Sequence, residues 1–407
     1  MTVVRSIGGI NMKIGVDAGC LGIKDERLKV GVYNVVKNFL IELVKLDKDN
    51  IYLLYSFEEI DKNLMAKFGK NFRNIVVRPK KGWLKVWLPL RIFLDKPKVF
   101  LALNQSVFGS RFFFLDFARV FDSEVEHLSA QTRRDQNDKA RGMKIIGFIY
   151  DVAFEEFPEM YVPSSVPKMS KNSKDLAMRA DHIITISEWT KKEIIRLYKV
   201  NANKIHVEYP GVSILTHPRG GLEKDGNYFL FVGALKKSKN IPLIIMAFGE
   251  FLKKTKEKYY LYIVGGDKWL DKEINKTIKK LDLKDYIKIF GYVNDKTLLK
   301  LYKEAFAFIS PSLYEGFGIT LLEAMSLSCP VIAGNNTAQK EVVGEAGLLV
   351  NPNDLNSVKN VMLSMVNDKY LRSSLIKKGL ERSKLFSWNK FAMNVYKKIK
   401  EYEHKTN

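Results

Sequence analysis

The chain reads as an α/β protein made of two doubly wound parallel-sheet domains facing each other across a cleft. Three observations lead there. Its 407 residues exceed one ordinary domain and suit two. Short apolar runs alternate with longer amphipathic stretches throughout, the pattern of parallel strands joined by crossover helices. Near the middle that alternation is broken at 213–226 by Pro218, Gly220, Gly221 and Gly226, a loop-like stretch assigned as the linker. Two such domains bring the carboxyl ends of their strands around a shared crevice, where ligands bind in this class.

The first domain is placed at 12–212. Strands are expected at 13–17, 51–56, 75–78, 99–103, 144–150, 182–187 and 204–209, with helices at 31–45 and 191–198. Ser187 and Thr190 are suitable caps for the second of these helices, and Pro210-Gly211 ends the last strand. The second domain is placed at 227–387. Its strands are expected at 228–233, 259–264, 286–290, 305–310 and 331–333. Its helices are expected at 241–254, 271–281, 296–304, 319–327 and 354–385. A last amphipathic helix starts at Ser387-Trp388 and runs to about Tyr402, and residues 388–407 are assigned to completing the first domain. Residues 1–11 are read as an extension or a misplaced start.

Hydrophobic residues make up 46% and charged residues 28%, which excludes a disordered or fibrous chain. Two cysteines, Cys20 and Cys329, offer no disulfide framework, so a reducing cytoplasm is the expected compartment. Five histidines show no metal-ligand spacing. No apolar run reaches the ~18 residues of a membrane span, and no basic start followed by an apolar core marks a secretory signal. The net charge is +22. It favours anionic partners, and nucleic acid, anionic lipid and a phosphorylated substrate all qualify.

The most informative segment is Ser310-Pro311-Ser312-Leu313-Tyr314-Glu315-Gly316-Phe317-Gly318-Ile319-Thr320-Leu321-Leu322-Glu323. It reads as the end of a buried strand, a glycine-bearing loop and the first turn of a helix. Such a turn offers free backbone N–H groups and a positive helix end to a phosphate. Glu315 on the loop and Glu323 one turn into the helix are hydrogen-bond acceptors for hydroxyls. One acid on each side of a diphosphate site suits a nucleotide-sugar. A surface helix with a capping acid accounts for the spacing equally well.

The segment resembles the Glu-x7-Glu signature of the retaining GT-B glycosyltransferases, the group 1 or family 4 class. Other stretches resemble that family too. Phe231-Val232-Gly233-Ala234-Leu235-Lys236-Lys237-Ser238-Lys239-Asn240 is similar to the first strand and loop of its donor domain. Ala180-Asp181-His182-Ile183-Ile184-Thr185-Ile186-Ser187-Glu188 resembles the strand before its linker, and Tyr209-Pro210-Gly211-Val212 the linker entry. The run from Asn336 to Gly347 is similar to a further donor-side stretch. The likeness covers roughly 140–350 well and the first helix region more loosely.

The resemblance implies a GT-B fold, two Rossmann-like domains with the C-terminal helix crossing back to the first. It implies that Glu323 binds the ribose hydroxyls and Glu315 holds hydroxyls of the donor sugar. Backbone amides of Gly316, Phe317 and Gly318, with Ile319 and Thr320 beside them, would approach the sugar and diphosphate. Lys239 would contact the diphosphate, in a loop shaped by Gly233, Ala234 and Asn240. Glu315 and Lys239 are thus the catalytic candidates. The donor is a nucleotide-diphosphate sugar, and neither a metal nor a cofactor is expected.

Two positions depart from the family pattern. Many relatives carry Arg or Ser where this chain has Ala234, so Lys236 or Lys237 is a candidate second cation. The family's His-Asp pair on the acceptor side is here Tyr150-Asp151. A phenol hydrogen-bonds to hydroxyls but does not titrate near neutrality, and Tyr150 reads equally well as a core aromatic. Gly31 is the candidate approach point in the first glycine-containing loop. Asp47-Lys48-Asp49 is formally a D-x-D string, read as turn chemistry.

The stretch 80–94, Lys80-Lys81-Gly82-Trp83-Leu84-Lys85-Val86-Trp87-Leu88-Pro89-Leu90-Arg91-Ile92-Phe93-Leu94, mixes basic, aromatic and aliphatic residues. It fits an anionic membrane surface or a helix packed in the first domain. Arg111-Phe112-Phe113-Phe114 and the polar stretch 122–142 read as an acceptor-side insertion. The resulting expectation is a hexosyltransferase acting on a glycan or lipid-linked acceptor in envelope polysaccharide or glycolipid synthesis. It would be cytoplasmic and peripheral on the inner face of the membrane. Two other classes fit parts of the sequence: an inactive nucleotide-sugar-binding partner subunit, and a basic nucleic-acid-binding protein. The latter lacks a recognisable module, so no nucleic acid is expected as partner.

Overall fold

A computed structural model describes residues 12–25, 29, 31–106, 142–212, 226–266 and 271–403. The expected linker apart from Gly226, residues 1–11, the run 111–114 and the stretch 122–142 apart from Gly142 lie outside those residues.

Among the described residues the strands form two parallel sheets. The first contains β1 (Lys13–Asp17), β2 (Ile51–Ser56), β3 (Phe72–Val76), β4 (Val99–Ala102), β5 (Lys144–Phe148), β6 (His182–Thr185) and β7 (Ile205–Val207), in the order β3-β2-β1-β4-β5-β6-β7. Ile14 of β1 lies between Tyr52 of β2 and Val99 of β4. The second contains β8 (Tyr228–Val232), β9 (Tyr260–Val264), β10 (Ile287–Gly291), β11 (Ala307–Ser310), β12 (Val331–Gly334) and β13 (Gly347–Val350), in the order β10-β9-β8-β11-β12-β13. Central strands are largely apolar because helices cover both faces: in β4 Val99-Phe100-Leu101-Ala102 is wholly buried. In each sheet the strand order reverses at one point, between β1 and β4 and between β8 and β11. Ligand sites of doubly wound folds lie outside the carboxyl ends of those pairs.

The C-terminal helix Trp388–Lys400 returns to the first sheet, as expected. It buries Phe391, Ala392, Val395 and Ile399. The Phe391 ring lies 5.8 Å from Phe39, on the helix Val32–Leu46, and 6.3 Å from Phe148. Where the chain leaves the first domain it runs against the point where it comes back. A Cβ on Gly211 would lie 2.3 Å from the Trp388 backbone nitrogen, so only glycine lets the two strands of chain touch. Around that crossing Tyr209, Phe317 and Phe386 pack with ring centroids 5.6–6.1 Å apart.

Several boundaries differ from expectation. The expected helix 354–385 is two helices, Leu355–Asn367 and Lys369–Ser383. Asp368 breaks them, and its carboxylate accepts the Leu371 N–H at 2.8 Å, capping the second. β3 begins earlier than expected. Its polar Asn74 belongs to the strand because the amide donates to the Leu54 carbonyl at 3.0 Å and to Ser56 Oγ at 2.8 Å. The helix Val166–Arg179 buries only Ser173, Leu176 and Ala177, a stripe too thin to stand out in sequence. The strand β13 and the helix Thr337–Val343 are short, which leaves little period to read. Asp47 is a turn residue, as expected. One carboxylate oxygen accepts the N–H groups of Asp49 and Asn50 at 3.0 and 3.1 Å, and the other the Tyr52 hydroxyl at 2.6 Å.

Candidate functional site

The reversal point of the second sheet gathers the residues expected on the donor side. After β8 the chain passes Gly233 and Ala234, makes a tight turn at Lys237–Lys239 and enters the helix Ile241–Leu252 through Asn240. After β11 it forms the loop 311–318 and enters the helix Ile319–Ser326. Backbone and amide bonds lash the two loops together. Leu313 N–H donates to the Ser238 carbonyl at 2.8 Å. The Asn240 amide donates to the Pro311 and Pro352 carbonyls at 3.2 and 2.6 Å, so its side chain braces the site. Asn336 and Gln339 hold the Leu313 and Ser312 carbonyls at 2.7 and 2.8 Å.

This frame brings the two catalytic candidates into contact. Lys239 Nζ lies 2.5 Å from Glu315 Oε1, with side chains 21% and 12% exposed. Ser312 Oγ donates to the same oxygen at 2.9 Å. A charge-assisted bond in this partly dry setting fixes both groups. Ser312 is a participant that sequence reading passed over, although it lies three residues before Glu315.

The helix Ile319–Ser326 starts at Gly318 (φ 104°), and no side chain among the described residues caps it. Its first N–H groups therefore lack a side-chain partner, as an anion site requires. Glu323 is 9% exposed. Burial raises its carboxyl from the usual 4.5 to about 7, against the Tyr302 hydroxyl, which donates to Oε2 at 3.3 Å, and with a small further push from Asp295. The Phe317 side chain is buried in the Tyr209–Phe386 cluster, which leaves its backbone as the part available to a ligand. Ile319 and Thr320 are partly exposed at the helix start.

On the other side of the crevice the residues divide. Asp151 belongs to the site. Burial raises its carboxyl, Ala153 N–H holds it at 3.1 Å, Glu315 pushes it up further, and Lys236 and Lys239 pull it down. Lys236, a candidate second cation, thus acts on the same point as Lys239. Gly316 closes the contact: a Cβ there would lie 2.8 Å from the Tyr150 carbonyl and 2.9 Å from Asp151 Cβ. Tyr150 corrects the expectation of a phenol bonded to a sugar hydroxyl. Its hydroxyl donates to the Leu103 carbonyl at 2.7 Å inside the core, because the residue lies two positions past the end of β5 with its ring 6.3 Å from Phe148. Gly31 (φ 51°) starts the helix Val32–Leu46 with no side-chain cap among the described residues, and its chain neighbours apart no described atom lies within 4 Å of where its Cβ would be.

Sequence reading missed Asp17. It closes β1 at the reversal point of the first sheet and accepts Gly19 N–H at 3.1 Å and the Asn104 amide at 2.6 Å. Burial raises its carboxyl from 3.8 to about 6. A lone acid ending the strand Lys13-Ile14-Gly15-Val16-Asp17 was the available signal.

Glu341, on the helix Thr337–Val343, ties the two domains. Its carboxylate accepts the N–H groups of Glu188 and Trp189 at 2.8 and 3.2 Å, at the start of the helix Glu188–Tyr198, and the Tyr209 hydroxyl at 2.6 Å. Glu341→Ala is expected to lower unfolding stability by about 1–2 kcal/mol through loss of a cap and a half-buried acceptor. Glu341→Gln, whose carbonyl still accepts, should lose less than half of that. Urea denaturation of the three proteins reads the difference.

Among the described residues no group of three or more His, Cys, Asp or Glu side chains forms a metal site, and no helix is long and apolar enough to cross a membrane.

Comparisons with known proteins bear on the family and the fold. The family model described as Glycosyl transferases group 1 matches residues 214–382. O-antigen chain mannosyltransferase B of Escherichia coli is 31% identical over 261 residues, 61% of this chain and 68% of that protein. O-antigen chain mannosyltransferase RfbU of Salmonella typhimurium is 35% identical over 190 residues, 45% of this chain and 51% of that protein, so the match spans about half of its length. The solved sucrose-phosphate synthase of Thermosynechococcus elongatus superposes with a TM-score of 0.72 at 16% identity, covering 96% of this chain and 99% of that one.

Proposed function

The chain belongs to the glycosyl transferases group 1 and is a glycosyltransferase of GT-B fold, and from that premise we propose that it is a retaining enzyme moving a hexose from a nucleotide-diphosphate sugar to a hydroxyl of a glycan or lipid-linked acceptor. The observation that carries this reading is the Lys239–Glu315 pair beside the uncapped start of the helix Ile319–Ser326, with Glu323 one turn further on. The domain 227–387 takes the donor. The domain 12–212, completed by 388–407, takes the acceptor.

In this reading the diphosphate lies at the helix start and displaces Lys239 from Glu315. Lys239 then meets the phosphate oxygens while Glu315 turns to the sugar hydroxyls. Glu323 receives the ribose. The bond from the anomeric carbon to the phosphate oxygen breaks, and the acceptor oxygen attacks on the same face. Its proton passes to the departing phosphate, whose growing charge Lys239, Lys236 and the helix end stabilise. Closure of the domains excludes water that would hydrolyse the donor. Asp151, across from the pair, orients the acceptor or the sugar.

The names of the E. coli and Salmonella relatives support a place in envelope polysaccharide synthesis. The stretch 80–94 supports work at an anionic membrane surface on the cytoplasmic side. Trp83, Leu88 and Ile92 pack inward, while Trp87, Phe93 and Leu94 face out beside Lys80, Lys81 and Lys85.

The test is a thermal-shift screen of the protein against UDP, GDP, ADP, dTDP and their hexose conjugates. One nucleotide is expected to stabilise it, by about 2.7 kcal/mol at a hundredfold excess over its Kd, and Glu323→Ala should abolish the effect. Silence from every nucleotide would overturn the proposal.

A further inference from the structure

Thr337 opens the helix Thr337–Val343 with a φ of 48°. Among the described non-glycine residues with positive φ it alone is β-branched. A branched Cβ in the left-handed region crowds the backbone, so the conformation is strained and persists only where the surroundings leave no other. Here they leave none. Just before Thr337, the Asn336 amide donates to the Leu313 carbonyl at 2.7 Å. Just after it, the Gln339 side chain accepts Gly334 N–H at 3.1 Å and donates to the Ser312 carbonyl at 2.8 Å. At the far end of the helix, Arg382 donates to the Val342 and Glu341 carbonyls at 3.1 and 2.7 Å. The Glu341 carboxylate is held in turn by Glu188, Trp189 and Tyr209 of the first domain. The helix is pinned at both ends, and the strain falls on the residue that opens it.

That strained residue touches Glu315. Thr337 Oγ1 accepts the Glu315 N–H at 3.3 Å, and Ala338 N–H donates to the Glu315 carbonyl at 3.4 Å. Both polar groups of the Glu315 backbone are therefore taken up by residues 337 and 338. On the opposite side the loop has no slack, because Gly316 stands against the Tyr150 carbonyl and Asp151 Cβ. The carboxylate that meets Lys239 and Ser312 thus springs from a backbone gripped from two sides. For stability alone, glycine would suit position 337 better, since it adopts this φ without a clash. Strain kept at the residue that grips Glu315 points to function.

Building on the transferase reading above, we propose that Thr337 is a positioning residue: its hydroxyl holds the Glu315 backbone so that the carboxylate faces the hydroxyls of the donor sugar once Lys239 has moved to the diphosphate. It acts through Glu315, so its effect falls on the sugar and not on the nucleotide.

The experiment compares the full chain with Thr337→Ser, Thr337→Val and Thr337→Gly. The probes are the nucleotide-sugar found in the thermal screen and its nucleotide alone. Serine keeps the hydroxyl. Valine keeps the branched shape and removes the acceptor. Glycine removes both the strain and the acceptor. Thr337→Ser should keep kcat within about threefold of the parent. Thr337→Val and Thr337→Gly should each lower kcat about tenfold or more and bind the nucleotide-sugar about tenfold more weakly, with the nucleotide bound as before. The urea midpoint of Thr337→Gly should rise while its activity falls, a pairing that a residue serving only the fold does not give. Should Thr337→Val fail to fold, Thr337→Gly carries the test alone. Parent-like activity in Thr337→Gly, or equal weakening of nucleotide and nucleotide-sugar, overturns the inference and leaves the transferase reading. A parent that binds no nucleotide removes that reading and this inference with it.

Discussion

Replacing Lys239 by alanine is expected to lower kcat about 10²- to 10³-fold, the scale seen when one preorganised donor is removed from a site of developing charge. The substrate is the nucleotide-sugar identified by the thermal screen, and the rate is its cleavage with or without acceptor. The structure supplies two reasons for a large effect. The lysine stands at the reversal point between β8 and β11, where two loops are tied by the Leu313–Ser238 and Asn240–Pro311 bonds, so its ammonium has only to swing from Glu315 to the phosphate. In the unliganded protein it also balances a carboxylate only 12% exposed, and removing it leaves that charge with the Ser312 hydroxyl alone. Glu315→Ala should therefore cost activity as well. The double variant should lose little more than the worse single one, because groups acting as a unit are not additive. Urea midpoints check that the proteins remain folded. A Lys239→Ala protein with kcat within about threefold of the parent would remove this lysine from the mechanism.

Nucleotide-sugar affinity should rise with pH up to about neutrality, and Glu323 should be the cause. Its carboxyl is raised to about 7 by burial, while the ionised form is the stronger acceptor for two ribose hydroxyls. Below 7 the ligand must bind the minority ionised form, so the affinity should increase up to about tenfold per pH unit and level off above about pH 8. Binding at pH 6 should release up to one proton, read by calorimetry in buffers of different ionisation enthalpy. A nucleotide-sugar is the right probe, since the terminal phosphate of a free nucleotide titrates near pH 6 itself. Glu323→Gln should bind about ten- to a hundredfold more weakly at pH 8 and without the pH slope. The same slope in parent and variant would refute the assignment. For the unliganded protein the sign is opposite. Because the folded pKa is the raised one, the native state keeps a proton that the unfolded chain gives up. This stability is fully present below about 4.5 and is lost as pH rises to about 7. Asp17 adds a loss of the same sign between 3.8 and about 6.

Much of this site was visible in the order of residues. The spacing of Glu315 and Glu323 around Gly316 and Gly318 needs only a strand, a loop and one helical turn to acquire meaning, all of them local. The structure puts β11, the loop and the helix Ile319–Ser326 where that reading required. The turn role of Asp47 and the return of the helix Trp388–Lys400 were likewise legible, from short-range polar chemistry and from a 3.6-residue apolar stripe. Tyr150 was not. Whether a tyrosine at a strand end turns toward a ligand or into the core depends on what lies beside the strand, and here the Leu103 carbonyl on the neighbouring chain segment captures its hydroxyl.

The alternation of apolar runs and amphipathic stretches, with the 213–226 interruption, was enough to establish two parallel α/β domains, because strand and helix periods are properties of neighbours in the chain. Strand order is a property of residues far apart. Only the packed molecule could put β8 beside β11 and β1 beside β4, and so choose which loops meet at a reversal point. Lys239 and Glu315 stand 76 residues apart and become an ion pair. Glu323 acquires its raised pKa from burial that no local pattern encodes. Local propensity specifies the pieces, and the burial of apolar faces from distant segments against one another specifies which chemical groups those pieces bring together.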